Sequence, residues 1–545
     1  MKKSIFILFI ATMLSCVCHK SYSCTNILVS KGASKDGSVF ISYNVDSKGF
    51  MAPLYFFPAK DWNPNDSLDI YEWDTGKFLG KIKQASHTYQ VVGNINEFQL
   101  SIGETTFGGR EELYNSKGVL DYGSLMYIAL QRATTAREAI KVMTNLVAEY
   151  GYVSEGESFS ISDPNEVWIL EMIGKGKENE KGALWVARKV PDGYICVHAN
   201  QSRIREVPLN DKDCLYSADL FSFAEKKGYS KPGKPFSFVD AYCPLTPGAL
   251  LCCENRVWRI FQCVAPSQNF STDYWRAVKD AEPYPLFIKP DKKIGVEDVM
   301  ALMRDHFEGT EFDMTKGLAA GPYGCPYRWK PLEWKIEGDT INSYMWERSV
   351  STQQTAFSFV SQSRSFFPNA IGGIFWYSVD DTYSNCYMPL YCGITEPPAA
   401  YQKADVLKFS WDSPVWVFNL VANYAYSKYS YIIKDIQIVQ KELESKFLAL
   451  QSPVEKTAID LYKSNPKLAL QYLTDYSINQ ANIVFERWKE LYVAIVTKYN
   501  DGYINEGKDG GRSPSNMNYS QSYLKKVVQE RPDYYLKRWQ EPRKK

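Results

Sequence analysis

The sequence predicts an α+β protein in which antiparallel sheets are covered by helices, followed by a helical C-terminal region. Short apolar runs flank turn signals such as Asp36-Gly37 and Pro191-Asp192-Gly193, which is typical of β-hairpins. A stretch with helical spacing, 120–150, lies between such runs. From about residue 404 the spacing becomes helical throughout. Hairpins with intervening helices favour antiparallel sheets over a βαβ parallel sheet.

The predicted elements follow from apolar spacing and turn residues. The predicted strands are 24–30, 39–43, 98–107, 159–162, 167–171, 183–190, 194–199, 355–361 and 373–379. Strands 24–30 and 39–43 form one predicted hairpin, and 183–190 and 194–199 form a second. The predicted helices are 120–150 with a break and cap at Thr134-Thr135, 296–307, 412–440, 442–450, 454–463, 466–475 and 480–499. Residues 500–518, rich in Gly, Ser and Asn, are predicted to be a loop.

The first 23 residues resemble a secretion signal. Lys2 and Lys3 precede an apolar run over 4–17, and Ser21 and Ser23 give the small-x-small pattern that signal peptidases accept. The apolar run is shorter than the roughly 20 residues that a membrane span needs. The sequence therefore predicts an exported protein, periplasmic or secreted, with no membrane span in the mature chain and Cys24 as its first residue.

Two other readings of this segment stay open. Residues 13–15 precede Cys16 as in a lipoprotein signal, which would leave Cys24 eight residues inside a lipid-anchored chain. An uncleaved N-terminal anchor is the other reading. Both would remove the free amine from Cys24.

Composition narrows the classes of partner and cofactor. A formal net charge of +1 over 545 residues argues against nucleic acid or an anionic membrane as the main partner. Of 12 cysteines, Cys16 and Cys18 would leave with the signal, and some of the other ten could pair. There is no CxxC pair and only four histidines, so a zinc site is not expected. We predict no metal and no cofactor; a homo-oligomer is left open.

Cys24 is the candidate nucleophile because signal cleavage would place a thiol and a free α-amine on one residue. A cysteine needs a base to form its thiolate. After cleavage His87, His198 and His306 remain for a Cys–His dyad. The α-amine, with a pKa of about 7.7–8.0, is another base close to working pH. The alternative is an ordinary buried cysteine in an edge strand.

Several motifs together resemble a known family. They are Cys24-Thr25-Asn26-Ile27-Leu28-Val29, Ala33-Ser34-Lys35-Asp36-Gly37-Ser38, Asn96-Glu97, Gly103-Glu104-Thr105-Thr106, Ala199-Asn200-Gln201, Arg304-Asp305-His306-Phe307-Glu308-Gly309-Thr310, Phe312-Asp313 and Gly317-Leu318-Ala319-Ala320-Gly321-Pro322. In this combination the chain resembles the dipeptidase A family of bacterial cysteine dipeptidases. That family belongs to the N-terminal nucleophile hydrolases, together with penicillin V acylase and bile salt hydrolase. The resemblance covers most of residues 24–400.

The resemblance implies a four-layer αββα sandwich and hydrolysis of an amide through an acyl-cysteine. It implies that Cys24 is the nucleophile and that its amine is the base. It also implies that Asp46 is the acidic residue that holds the amine and the thiol in place. Strand pairing gives a physical reason for the role of Asp46. The second strand of the hairpin ends close to the residue at which the first strand begins, so Asp46 should lie near Cys24. Asn200 matches the asparagine that helps to hold the oxyanion. Without the resemblance, Asp46 is better explained as a turn residue at the end of a strand, and Asn200 is equally well explained as a turn residue after a strand.

The surroundings of the thiol match the family less closely. Many relatives have an arginine where this chain has Tyr43, so any positive charge near the thiol must come from elsewhere. Arg256 resembles a second arginine near the site in the acylases. Two alternatives are that Arg259 fills this role and that Arg256 is a structural arginine. The backbone at Glu104 and Thr105 matches a second oxyanion contact on the substrate-binding side.

Three functions follow from these observations. The leading prediction is an exported cysteine dipeptidase that acts on small peptides. The others are an N-acyl amidase of the penicillin V acylase or bile salt hydrolase type, and a non-catalytic peptide-binding lipoprotein anchored at Cys16. The predicted organisation is a signal peptide over 1–23, a catalytic αββα domain over 24–403 and a helical region over 404–545.

Overall fold

The computed structural model describes residues 24–47, 51, 53–176, 181–230, 233, 235–327 and 333–535. These residues form helices and antiparallel sheets, so the predicted α+β class and the helical C-terminal region are confirmed. The predicted signal peptide, including Cys16 and Cys18, lies outside the described residues. In the part of the chain that is described, no helix combines the length and the apolar character that crossing a bilayer requires.

Fifteen strands form the two main sheets. They are β1 (Asn26–Val29), β2 (Val39–Asp46), β3 (Phe56–Phe57), β4 (Val91–Val92), β5 (Ile95–Asn96), β6 (Ser101–Gly108), β7 (Gly156–Ser162), β8 (Val167–Ile173), β9 (Leu184–Lys189), β10 (Ile195–His198), β11 (Cys214–Tyr216), β12 (Phe287–Ile288), β13 (Thr355–Ser363), β14 (Ile374–Val379) and β15 (Met388–Tyr391). The seven-stranded sheet has the order β12-β10-β1-β2-β13-β14-β15. The eight-stranded sheet has the order β11-β9-β8-β7-β6-β5-β4-β3.

Four two-stranded ribbons accompany these sheets. They pair Lys60–Asp61 with His87–Thr88, Ser67–Tyr71 with Phe78–Lys83, Glu333–Trp334 with Tyr344–Met345, and Tyr503–Ile504 with Ser515–Asn516. The last ribbon lies in the segment 500–518 that the sequence predicts to be a loop.

Nine described helices have seven or more residues. They are α1 (Tyr122–Arg132), α2 (Ala136–Tyr150), α3 (Leu220–Lys227), α4 (Asn255–Val264), α5 (Val296–Leu302), α6 (Pro414–Ser427), α7 (Tyr429–Ser464), α8 (Pro466–Lys498) and α9 (Gln521–Glu530). Shorter helices are Phe238–Tyr242, Pro247–Ala249 and Asn369–Gly372.

The two sheets pack against each other and carry helices on their outer faces. Strand β2 contacts β6, β7 and β8 of the other sheet, and all residues of β2, β7 and β8 are buried. Helices α1 and α2 pack on β6 to β8, whereas α6, α7 and α8 pack on β14 and β15. Val417, Phe418 and Val421 of α6 are buried in the same core cluster as Cys24, so this C-terminal helix packs on the preceding part of the chain.

The predicted break between α1 and α2 is confirmed. The Thr135 side chain accepts a hydrogen bond from the Glu138 N–H, which caps α2. The Asp121 side chain caps α1 in the same way. A cap supplies a partner for an N–H that has no carbonyl within the helix, so the two helices begin where the sequence offers one.

The predicted second hairpin is wrong. Strand β9 pairs with β8 and β11 in the eight-stranded sheet, while β10 pairs with β1 and β12 in the seven-stranded sheet. The turn at 191–193 therefore carries the chain from one sheet to the other. The Asp192 carboxylate accepts a hydrogen bond from the Gly32 N–H (2.5 Å), which fixes this turn against the connection between β1 and β2.

Several predicted helix boundaries are also wrong. Helix α5 ends at Leu302 rather than at 307. The predicted helix 412–440 is interrupted at Lys428, whose φ of −145° is not helical. The segments 442–450 and 454–463 are one helix that continues through Pro453, and 466–475 and 480–499 are likewise one helix. Buried faces along both long helices pack against each other and against the sheet, so tertiary packing outweighs the helix-breaking tendency of a single proline.

Candidate active site

Cys24 lies two residues before β1, an interior strand of the seven-stranded sheet. Strand β1 has β10 on one side and β2 on the other, so Cys24 does not lie on an edge strand. Thr25 and Asn44 exchange two backbone hydrogen bonds (3.3 and 3.0 Å), which bring the end of β2 beside Cys24. Cys24 is only 3% exposed. The predicted proximity of the two hairpin ends is confirmed.

Tyr43 and Glu104 are the side chains closest to the Cys24 thiol. The Cys24 Sγ lies 3.8 Å from the Tyr43 hydroxyl and 3.8 Å from the Glu104 Oε1. The Tyr43 hydroxyl also donates a hydrogen bond to Glu104 Oε1. Because β2 packs on β6, the two residues reach Cys24 from different sheets.

The environment of the thiol favours its protonated form. Burial raises the pKa of Cys24 well above its ordinary value, and the carboxyl groups of Glu104 and Asp46 raise it further. Hydrogen bonds from the Asp46 backbone and the Tyr43 side chain oppose this rise. Formation of a thiolate here therefore requires a base and a nearby positive charge.

Asp46 ends β2 and is fully buried. Its Oδ2 forms an ion pair with Arg348 Nη2 (2.9 Å), and its Oδ1 accepts a hydrogen bond from Thr355 Oγ1 (2.5 Å). Burial raises the pKa of Asp46 to about 6, although Arg348 and Thr355 lower it. The carboxyl group is thus held in one orientation next to the thiol.

Arg348 is a site residue that the sequence reasoning missed. It is buried, and burial together with the charge of Arg256 lowers its pKa to about 10. Among the described residues, its Nη1 has no hydrogen-bond partner. Arg348 interacts electrostatically with Cys24, so it brings a positive charge to a site where Tyr43 supplies none. It lies 302 residues from Asp46 in an irregular segment, and no motif or spacing marks it.

The segment that carries Arg348 is connected to the C-terminal helices. Ser351 Oγ donates a hydrogen bond to Asp381 Oδ1 (3.1 Å), and Tyr327 donates to the same oxygen (3.2 Å). Tyr426 of α6 donates to Asp381 Oδ2 (2.8 Å). A buried carboxylate thus connects α6 to the segment that leads from Arg348 to β13.

Arg256 links the Cys24 backbone to Asn200. Its Nη1 donates to the Cys24 carbonyl oxygen and to Thr25 Oγ1 (2.7 Å each). Its Nη2 donates to the carbonyl oxygen of Ala199 (3.0 Å) and to Asn200 Oδ1 (3.1 Å). Arg259, by contrast, forms an ion pair with Asp305 (2.6 Å). The structure therefore brings Arg256 to the site, in a position that orients other groups.

Asn200 follows β10 in a left-handed backbone conformation, with φ of 65°, which asparagine adopts more readily than most residues. Its Nδ2 donates a hydrogen bond to the Thr106 carbonyl oxygen (2.8 Å), while its Oδ1 accepts from Arg256. Both ends of the side-chain amide are fixed. Neither Asn200 nor Arg256 is among the residues that line the cavity described below.

Thr105 and the histidines have other partners. Thr105 Oγ1 lies 2.7 Å from His198 Nδ1, and Ser160 Oγ lies 2.7 Å from His198 Nε2. Burial lowers the pKa of His198 to about 3, so the ring is neutral. His306 contacts Glu308 and Tyr327, and His87 contacts Asp61. No Cys–His dyad forms with any of these three described histidines.

Cys24 lines a small cavity of about 20 Å³. Its described lining residues are Cys24, Tyr43, Val45, Asp46, Ser47, Trp73, Asp74, Asn94, Glu104, Tyr122, Met126, Tyr127 and Phe357. Three of these are acidic, and none of those that the structure describes is Lys, Arg or His. Trp73 and Tyr127 stack with their ring centroids 4.9 Å apart, and the Tyr122 hydroxyl donates to Asp74 Oδ1 (2.8 Å). The cavity is small, acidic and aromatic.

Family comparison places this chain, with its buried cysteine beside a small cavity, among the peptidases. The chain belongs to Peptidase family C69, whose model matches residues 63–442. This confirms the predicted resemblance to a dipeptidase family. The match includes Glu104, Asn200, Arg256 and Arg348 but begins after Cys24 and Asp46.

Named relatives share most of the chain. It is 25% identical to a probable dipeptidase B of Streptococcus pyogenes serotype M1 over 504 residues, which are 87% of this chain and 93% of the relative. It is 24% identical to a probable dipeptidase of Latilactobacillus sakei, covering 87% and 95% of the two chains. A dipeptidase of Bifidobacterium longum is 24% identical over 443 residues, covering 73% and 76%.

Proposed function

We propose that this protein is an exported dipeptidase whose nucleophile is Cys24, exposed by removal of residues 1–23. The main support is the position of the Cys24 thiol, which faces a small acidic cavity in a chain of a peptidase family. A dipeptide carries a free ammonium one residue from its scissile bond, and an acidic cavity suits that group. The names of the relatives support the same substrate class.

The proposed fold is the four-layer αββα sandwich of the N-terminal nucleophile hydrolases. Its support is the packing of β2 on β6 to β8, with helices on the outer face of each sheet. In such a fold the nucleophile begins a central strand, which agrees with the position of Cys24 before β1.

In the proposed first step, the α-amine of Cys24 accepts the thiol proton. Cleavage after Ser23 would convert the backbone nitrogen of Cys24 into a primary amine with a pKa of about 7.7–8.0. The buried Asp46 carboxylate stabilises the resulting ammonium. The charge of Arg348 stabilises the thiolate, which the remaining surroundings disfavour.

The thiolate then attacks the carbonyl carbon of the peptide, forming an S–C bond and a tetrahedral oxyanion. Thr106 and Arg256 hold the side-chain amide of Asn200, and the second hydrogen of its Nδ2 is the proposed oxyanion donor. The ammonium of Cys24 protonates the leaving nitrogen as the C–N bond breaks. Water, deprotonated by the same amine, hydrolyses the thioester and regenerates the thiol.

An N-acyl amidase is the second candidate. The observation that favours it is the aromatic and apolar part of the lining, which includes Trp73, Met126, Tyr127 and Phe357. An acyl chain would fit such walls, but it would leave the carboxyl group of Glu104 without a cationic partner. The dipeptide is therefore the substrate that we favour.

The test is to export the full-length chain from a bacterial host and determine its N-terminus by intact mass. Turnover of dipeptides and of N-acyl amino acids is then measured with the same preparation. We expect a start at Cys24, hydrolysis of dipeptides, and no hydrolysis by Cys24→Ala. A lipid-modified Cys16, turnover of N-acyl amino acids alone, or activity in Cys24→Ala would overturn the proposal.

A further inference from the structure

Two buried glutamates lie next to each other beside the thiol. Glu104 on β6 and Glu157 on β7 are each fully or almost fully buried, and their carboxyl groups interact with each other. Thr106 Oγ1 also donates to Glu157 Oε1 (2.6 Å). Of the two glutamates, Glu104 lines the cavity and Glu157 does not.

Burial makes both carboxyl groups of this pair costly to ionise. Burial and the neighbouring Glu104 raise the pKa of Glu157 well above its ordinary value. Burial raises the pKa of Glu104 to about 7, while the interaction with Glu157 and the hydrogen bond from Tyr43 lower it. Glu104 is the member of the pair that lines the cavity, and its carboxyl group accepts a hydrogen bond from Tyr43. A cation that enters the cavity would therefore meet a buried carboxyl group whose charged form it stabilises.

The distance between this carboxyl group and the thiol limits which cation can bind. The Cys24 Sγ and Glu104 Oε1 are 3.8 Å apart. A carbonyl carbon in position for attack lies about 3–3.5 Å from the nucleophile. In an N-terminal residue the α-nitrogen is two bonds from that carbon, each about 1.5 Å long. The α-ammonium of the residue being cleaved can therefore contact Glu104 Oε1 while its carbonyl carbon contacts the sulfur.

We propose that the Glu104 carboxylate binds the free α-ammonium of the substrate and so restricts cleavage to the bond after a single unblocked N-terminal residue. The inference rests on the proposed function and specifies its substrate: the N-terminal residue must be free, because an N-acylated residue has no charge for Glu104. An acylated nitrogen would also leave a buried carboxylate without a partner, which is costly. Specificity for a free amine is then set by Glu104 rather than by the nucleophile.

The test compares a dipeptide with its N-acetylated form in the exported, full-length enzyme. We expect Glu104→Gln to lower kcat/KM for the free dipeptide by about 10- to 100-fold, mainly through KM, since a hydrogen bond to a charged group is lost. It should leave the poor turnover of the acetylated form unchanged or improve it. Glu157→Gln is the matched control: it changes the other carboxyl group of the pair and should keep the preference for the free amine. Equal losses for both substrates in Glu104→Gln would overturn the inference.

A binding experiment separates this inference from the proposed function. In a Cys24→Ala background, calorimetry measures binding of the same dipeptide and of its acetylated form without turnover. Preferential binding of the free dipeptide that disappears in Cys24→Ala/Glu104→Gln supports the inference even if the enzyme hydrolyses no dipeptide. Hydrolysis of dipeptides whose selectivity is the same in Glu104→Gln would refute the inference and leave the proposed function standing.

Discussion

Replacement of Arg348 by glutamine should destabilise the protein in a pH-dependent way. The guanidinium lies 2.9 Å from Asp46 Oδ2, and both side chains are at most 4% exposed. At an effective dielectric constant of about 20, two charges at this distance attract by about 6 kcal/mol. Part of this is offset by the cost of burying both charges, and breaking such a pair typically costs about 3–5 kcal/mol.

The sign of the pH dependence follows from Asp46. Its pKa of about 6 in the folded protein lies above its ordinary value of 3.8, so its contribution to stability is greatest below about pH 4 and declines as the pH rises through 6. Without Arg348 the pKa of Asp46 rises further. The loss of stability relative to wild type should then be small at pH 5 and grow by about 1.4 kcal/mol per pH unit above 6, reaching about 3 kcal/mol at pH 8.

Urea denaturation of wild type and Arg348→Gln at pH 5 and pH 8 measures this difference. Arg364→Gln is the matched control, because it breaks the buried Arg364–Glu455 pair (2.6 Å) away from the thiol. We expect both variants to lose stability at pH 8, and only Arg348→Gln to lose kcat as well. An equal loss for Arg348→Gln at pH 5 and pH 8 would refute the assigned role of Asp46, and unchanged kcat would refute the assigned role of Arg348.

Three further predictions concern the thiol and its neighbours. Tyr43→Phe removes a hydrogen bond that lowers the pKa of the thiol, so kcat/KM should fall about 3- to 10-fold and iodoacetamide should alkylate Cys24 more slowly at a given pH. In Arg256→Lys, the lysine cannot hold both the Cys24 carbonyl oxygen and Asn200. Steady-state kinetics should therefore show kcat reduced about 100-fold with KM little changed. An intact kcat would exclude the positioning role of Arg256. One extra residue before Cys24 in the mature chain converts the amine to an amide, so the rate of hydrolysis should fall about 100- to 10,000-fold. Alkylation and mass spectrometry should still detect the thiol. Unchanged turnover would mean that another group is the base.

The sequence could predict the part of the site that lies within a single β-hairpin. Cys24 and Asp46 lie at the two ends of one antiparallel hairpin, so their proximity follows from strand pairing. The turn at 191–193 is equally clear in the sequence, yet it joins two sheets, because turn residues specify a reversal of the chain and not the strand that pairs next. Arg348 could not be predicted, since only tertiary packing brings it to Asp46.

The boundaries of the long helices also could not be predicted from the local sequence. Pro453 predicts a boundary by its missing N–H, but α7 continues through it for 36 residues in all. The buried side chains on one face of α7, such as Phe447 and Val454, provide the stabilisation that the local sequence does not. Intrinsic propensity is a weak guide where a helix is held along its length by a sheet.

The connection from Tyr426 through Asp381 to the segment of Arg348 has a consequence for the order of events during synthesis. Chains emerge from the ribosome with the N-terminus first. Under the proposed processing, the nucleophile would be the earliest part of the mature chain to cross the membrane. The arginine beside it and the helix that supports the arginine's segment would follow hundreds of residues later. The catalytic centre would then mature only once nearly the whole chain is outside, so an incompletely synthesised peptidase would remain inactive.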